Sequence, residues 1–150
     1  MYKFNLPNDL NKFFEVLEYF EYKPIVIGSF ADYFLLKQDK KTIKDLDILV
    51  NDYNELNCDL SGFLDVKSKL YEKVLFGRVI NDYTVEVYKD STFDYNMNSF
   101  KLNDYDFKIC TPQYRLNYLK NIQNNIVAYN KDLNKITNLV KEYTKRYSLD

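Results

Sequence analysis

The chain has 150 residues, 46% hydrophobic and 17% aromatic, with a formal net charge of −1, which suits one folded domain and excludes a disordered chain, a nucleic-acid coat protein or a polybasic membrane binder. It has no histidine and only two cysteines, Cys58 and Cys110; this excludes His/Cys zinc sites, Ser-His-Asp triads and histidine acid/base chemistry, and leaves carboxylates and lysines to carry any reaction. No apolar run approaches the roughly 18 residues of a membrane span, and the opening MYKFNLPNDL lacks a basic start and an apolar signal core, so a soluble cytoplasmic protein with reduced thiols and no membrane partner is expected.

Leu10, Phe13, Phe14, Leu17 and Phe20 recur at helical spacing, predicting a first amphipathic helix with Asn8 or Asp9 as cap and Pro24 as stop. Ile25-Val26-Ile27 is short, β-branched and continuously apolar, the pattern of a strand buried on both faces. Gly28 ends it. Ser29 is placed to cap a second helix, with Asp32 three residues on in the capping-box position and Phe30, Tyr33, Phe34 and Leu36 facing the core. KQDKKTIK reads as a loop and DLDILV as a second strand. A short helix is predicted between Tyr53 and Leu60. LDVKSKLYEKV fits a helix through Val66, Leu70 and Val74 or an extended run, and the pattern does not choose. KVLFGRVINDYTVEVYKD reads as a hairpin turning at Asn81-Asp82, with Val85 and Val87 alternating against Thr84, Glu86 and Tyr88.

DFKIC predicts a further strand, and Thr111-Pro112 is a strong helix opening. Leu116, Leu119, Lys120, Ile122 and Ile126 line that helix; Leu133, Ile136, Leu139, Val140 and Tyr143 line a last one. The order predicts an α+β fold: a mixed β-sheet flanked by helices and ending in a C-terminal helical pair. It forms a single domain over residues 1–150, with a core at about 24–110 and the C-terminal helices at about 111–147. There is no internal repeat.

Asp45 and Asp47 lie two apart on a predicted strand, so both side chains leave one face of the sheet. Two carboxylates held so close repel unless a cation lies between them, and Mg²⁺ commonly takes one or two carboxylates plus substrate phosphates. Glu86 is a third acid, on a strand whose valines point to the core. The plainer account of Asp45 and Asp47 is an exposed edge pair; a second acid-x-acid pair, Asp104 and Asp106, reads as the solvated start of a strand. A strand that delivers Gly28-Ser29 to a helix start also makes a natural seat for phosphate, from main-chain N–H groups and the positive end of the helix dipole. The plainer account there is an ordinary strand-to-helix turn.

Together, IVIGS, KDLDILV and VEVY resemble the nucleotidyltransferase superfamily typified by DNA polymerase beta, in its small single-domain form. That family's signature is an apolar strand, Gly-Ser or Gly-Gly, a helix, acid-apolar-acid-apolar on the next strand and a third acid on a later one. KKTIKDLDILV is similar to the R-x-T-x-D-x-D stretch of abortive-infection-type and antibiotic-modifying relatives, with Lys in place of Arg. ICTPQYRLNYLKN followed by KDLNKI is similar to the helical end of such minimal enzymes. The resemblance covers most of residues 24–137, and its specific part is three short motifs. Two departures stand out: fifteen residues separate Ser29 from Asp45, more than is usual, and the third acid is Glu rather than the commoner Asp.

The resemblance implies a nucleotidyltransferase-like sheet and a Mg²⁺-dependent transfer of a nucleoside monophosphate from a nucleoside triphosphate such as ATP to an acceptor hydroxyl, releasing pyrophosphate. On this resemblance Asp45 and Asp47 bind Mg²⁺, Glu86 completes the metal site and helps deprotonate the attacking hydroxyl, and Gly28 and Ser29 hold the β- and γ-phosphates. Lys44 and Lys120 are the candidate sources of extra positive charge at the nucleotide; each reads equally as a solvated surface residue. Residues 1–100 carry 12 Lys+Arg against 17 Asp+Glu and residues 101–150 carry 9 against 5, an imbalance that suits an anionic ligand or chance. The acceptor is a small molecule, a protein or an RNA end, the near-neutral charge making RNA the least compelling. With 15 Tyr and 11 Phe the chain has enough large apolar surface for a homodimer or a partner protein. Two other classes remain open: a catalytically silent binding or regulatory module of the same fold, and a toxin-antitoxin component that modifies a protein or tRNA.

Overall fold

The computed structural model describes residues 10–21, 24–37, 43, 45–56, 58–66, 71, 73–102, 106–125 and 131–149. The chain divides into two compact units, residues 1–110 and 111–150, the division falling where Thr111-Pro112 opens a helix.

In the first unit the elements run α1 (Leu10–Tyr19), β1 (Ile25–Ile27), α2 (Gly28–Leu36), β2 (Asp45–Val50), a 3₁₀ turn at Tyr53–Glu55, β3 (Leu64–Val66), β4 (Lys73–Ile80), β5 (Tyr83–Lys89), α3 (Tyr95–Asn98), β6 (Ser99–Lys101) and β7 (Lys108–Cys110). The strands form one mixed seven-stranded sheet in the order β3-β4-β5-β2-β1-β7-β6. At its centre, β2 lies antiparallel to β1 and parallel to β5, and β1 is parallel to β7. Ile25, Val26, Leu46, Ile48 and Leu49 are wholly buried, as unbroken apolar strands must be when both sheet faces are covered. Beyond β5 the sheet is more exposed, and Leu64, Val66, Phe76 and Val79 of β3 and β4 are open to solvent.

The aromatic residues explain how the helices dock. Phe13 of α1 stacks on Phe30 of α2 with ring centres 4.7 Å apart and meets Phe107 edge-on at 5.5 Å. Phe34 joins them, 5.3 Å from Phe107. Every residue of α2 except Ser29 is buried, Asp32 among them, the state of a helix covered on nearly all sides. Ser29 alone is left to meet solvent.

The hairpin turns at the expected place. Asn81 (φ 48°) and Asp82 (φ 69°) are both left-handed, the requirement of a two-residue turn matched to strand twist. Asn81 Nδ2 donates to Glu15 at 2.7 Å and Lys12 Nζ to Asp82 at 2.8 Å, tying the turn to α1. A β-bulge lies in β4 between Leu75 and Arg78, with Gly77 at φ 87°.

Two sequence readings need correcting, and one left open is settled in part. The helix predicted from Tyr53 to Leu60 is a single 3₁₀ turn, opened by a capping box in which Asp52 Oδ1 accepts from the Asn54 N–H at 3.1 Å and Glu55 Oε1 accepts from the Asp52 N–H at 3.0 Å. No apolar stripe follows to extend the turn into a helix. The stretch whose pattern does not choose is extended in β3 and at the start of β4, with a bend at Tyr71; residues 67–70 and 72 lie outside the described residues. Ser29 does not cap α2, and Asp32 is buried rather than completing a capping box: β1 runs straight into the helix, so the N-cap position falls to its last residue, Ile27. Two short elements, α3 and β6, carried no periodic signal. The proposed caps Asn8 and Asp9 lie outside the described residues, as does Asp104; Asp106 is exposed and pairs with Lys101 at 3.3 Å.

The second unit is the helical pair α4 (Pro112–Asn124) and α5 (Leu133–Tyr147), which pack against each other. Leu116, Leu119 and Ile122 are buried on α4, and Ile136, Leu139 and Tyr143 on α5; Ile126 lies outside the described residues. Thr111 Oγ1 accepts from the Tyr114 N–H at 3.2 Å and Pro112 occupies the first helical position, as the sequence pattern requires. Thr111→Ala is expected to cost about 1 kcal/mol of stability, measurable as a lowered urea midpoint followed by circular dichroism.

Candidate active site

The parallel register of β2 and β5 sets Asp47 opposite Glu86 and Asp45 opposite Thr84, while Leu46 faces Val85 and Ile48 faces Val87. Paired strands are about 4.8 Å apart and alternate their side chains between faces. Asp45, Asp47 and Glu86 therefore share one face of the sheet, and the valines take the other. Asp45 is exposed; Asp47 and Glu86 are half-buried.

The third strand of the site is β1. Its antiparallel register with β2 pairs Ile27 with Asp47, so the chain leaves β1 beside that carboxylate. Gly28 turns there with φ +70° and is buried. A Cβ at this position would overlap Asp47 Oδ2 and stand 3.0 Å from Asp47 Cβ and 3.1 Å from its Cγ. The glycine is required twice, by its left-handed backbone and by the carboxylate seated against it.

This changes the part the sequence suggested for Gly28. Its main chain is covered by Asp47, so the residue makes room for the carboxylate. The accessible part of the turn is Ser29, exposed in the first turn of α2. Ile27, at the N-cap, makes no side-chain capping bond, and the opening N–H groups of a helix have no partner within it.

Glu86 has a neighbour the sequence reading passed over. Tyr88 Oη donates a hydrogen bond to Glu86 Oε2, and the Tyr88 ring rests 4.7 Å from the ring of Tyr71. The signal was present in VEVY, whose period-two alternation puts positions 86 and 88 on one face. Lys44 lies outside the described residues, and Lys120 is half-buried on α4 of the second unit.

Among the described residues no three His, Cys, Asp or Glu side chains converge as a ready metal cage. Asp45 and Asp47 instead form a two-carboxylate edge, which suits Mg²⁺ because that ion keeps waters and completes its shell with substrate phosphate. The space that Gly28 concedes to Asp47 is the local feature that fits this role. Cys58 and Cys110 form no disulfide. Burial raises the Cys58 thiol above its ordinary value, which disfavours thiolate chemistry.

No family model matches the chain, and neither does any curated protein or solved structure. The fold and site define a mixed α+β protein with two strand carboxylates beside a glycine turn. No helix among the described residues is long and apolar enough to cross a membrane.

Proposed function

We propose that the chain is a Mg²⁺-dependent nucleotidyltransferase with a nucleotidyltransferase-like fold, moving a nucleoside monophosphate from a nucleoside triphosphate to a hydroxyl and releasing pyrophosphate. One observation carries the reading: Asp47 lies in register with Glu86 on one sheet face and has its carboxylate against the Gly28 turn that opens α2. A carboxylate and a phosphate brought to one helix N-terminus repel each other unless a cation lies between them. Asp45 and Asp47 are the residues that would hold it.

Ser29 and the first turn of α2 receive the β- and γ-phosphates, which fixes the α-phosphorus near the acid face. Bound Mg²⁺ supplies charge neutralisation at the triphosphate and at the departing pyrophosphate. Glu86 takes the proton from the attacking hydroxyl, a half-buried carboxylate on the strand next to Asp47. Lys44 is the remaining candidate for charge at the nucleotide. The acceptor is a small molecule, a protein or RNA, the site of action the cytoplasm, and a homodimer or partner protein the working assembly.

A second reading is a catalytically silent module of the same fold. It is favoured by the Tyr88 hydrogen bond that occupies Glu86 and by the lack of a three-acid cluster among the described residues. The deciding experiment incubates the chain with cell extract, Mg²⁺ and each of the four α-³²P-labelled nucleoside triphosphates in turn. The transferase reading expects label on an acceptor with one preferred base, lost on adding EDTA. Metal-dependent binding of nucleotide by calorimetry with no transfer establishes the silent module, and no binding at all removes both.

A further inference from the structure

Resting on the transferase reading above, we propose that the chain nucleotidylates itself on the hydroxyl of Tyr88. A base can deprotonate only a hydroxyl within hydrogen-bond reach, and in this structure Tyr88 Oη stands in that relation to Glu86. The chain's own phenol thus holds the place that an external acceptor hydroxyl has to take. Tyr88 is half-buried. It stands two residues beyond Glu86 on β5, and therefore on the sheet face that carries Asp45 and Asp47.

Other tyrosines show what sets Tyr88 apart. Tyr95 Oη donates to Glu55 Oε2 at 3.2 Å, the same pairing of groups, but it also accepts from the Asn51 N–H at 2.9 Å, and burial pushes it up to about 12. Glu55 follows the far end of β2, whose length from Asp45 is about 16 Å at roughly 3.3 Å per residue. Tyr53 is committed to the Val87 carbonyl at 3.1 Å. Tyr88 combines an acid partner and the metal-binding face.

The step balances without a further reactant. The Tyr88 O–H bond breaks and its proton passes to the Glu86 carboxylate; a bond forms from Tyr88 Oη to the α-phosphorus. The bond from that phosphorus to the bridging oxygen of the β-phosphate breaks, and pyrophosphate leaves with the electron pair. The product is a tyrosyl phosphodiester that fills the acceptor position, so incorporation stops at one nucleotide per chain.

The test incubates the purified full chain with Mg²⁺ and each α-³²P-labelled nucleoside triphosphate, without extract. Label stable to denaturing gel electrophoresis is then located by tandem mass spectrometry, and binding of each Mg²⁺–nucleotide is measured separately by calorimetry. The expected result is one nucleotide per chain on Tyr88, absent from Tyr88→Phe, which keeps the ring against Tyr71, and undiminished in Tyr95→Phe. Label on another residue, or undiminished label in Tyr88→Phe, overturns the proposal. So does an unlabelled chain that binds nucleotide, and that outcome leaves the transferase reading standing. A chain that binds no Mg²⁺–nucleotide overturns both.

Discussion

Asp47→Asn is expected to lower nucleotidyl transfer at least about 10²-fold, the loss typical when one preorganised group serving transition-state charge is removed, while the chain stays folded. The substitution keeps the shape of the side chain and removes its charge. Asp47 lies against the Gly28 turn and directly across from Glu86, so on the proposed transferase reading the lost charge is the one that would join metal, phosphate seat and base. The stability cost should stay within about 2 kcal/mol, the upper worth of a carboxylate near a helix N-terminus in a partly buried geometry. Initial rates of label transfer, with a thermal melt of the same sample, check the prediction. Asp106→Asn serves as the control, since that acid is exposed and pairs with Lys101 on another part of the sheet. Equal rates in Asp47→Asn and the parent would sink the catalytic assignment.

The sequence was informative where a local pattern decides local structure. Ile25-Val26-Ile27, the Asn81-Asp82 turn and Thr111-Pro112 each state their conformation within a few residues, and each is found as read. The alternation in TVEVY sent Glu86 away from the valines for the same reason. Placing Glu86 on the face of Asp45 and Asp47 was a different matter. It depends on the parallel register of β2 with β5, which no residue of either strand announces. The seating of Asp47 on Gly28 likewise depends on β1 pairing with β2. A glycine before a helix signals only that something comes close to it, and here that something is a side chain nineteen positions along the chain. The capping assignment failed because α2 already begins at Gly28, so Ser29 lies inside the first turn and the N-cap falls to the strand's last residue, Ile27.

Gly28→Ala should then be the most informative substitution for the geometry. A left-handed backbone costs an L-residue roughly 1–2 kcal/mol, and forcing a methyl into filled space typically adds about 1–3 kcal/mol. Asp47 cannot evade the methyl by rotation alone, because its Cβ and Cγ as well as its carboxylate oxygen lie within contact range. The variant is therefore expected to lose roughly 2–5 kcal/mol in urea unfolding, with transfer falling alongside as the displaced carboxylate leaves its seat. Gly77→Ala separates the two causes. Gly77 has φ +87° and nothing within 4 Å of the Cβ position, so it should show the backbone cost alone, roughly 1–2 kcal/mol. In an Asp47→Ala background the overlap with Cγ and Oδ2 disappears, and the cost of Gly28→Ala should shrink by about 1–2 kcal/mol, within the range of coupling between touching residues. Gly77→Ala should cost the same in both backgrounds. A Gly28→Ala penalty indifferent to residue 47 would mean that the carboxylate does not rest on this turn, and the link between the acids of the sheet and the start of α2 would be lost.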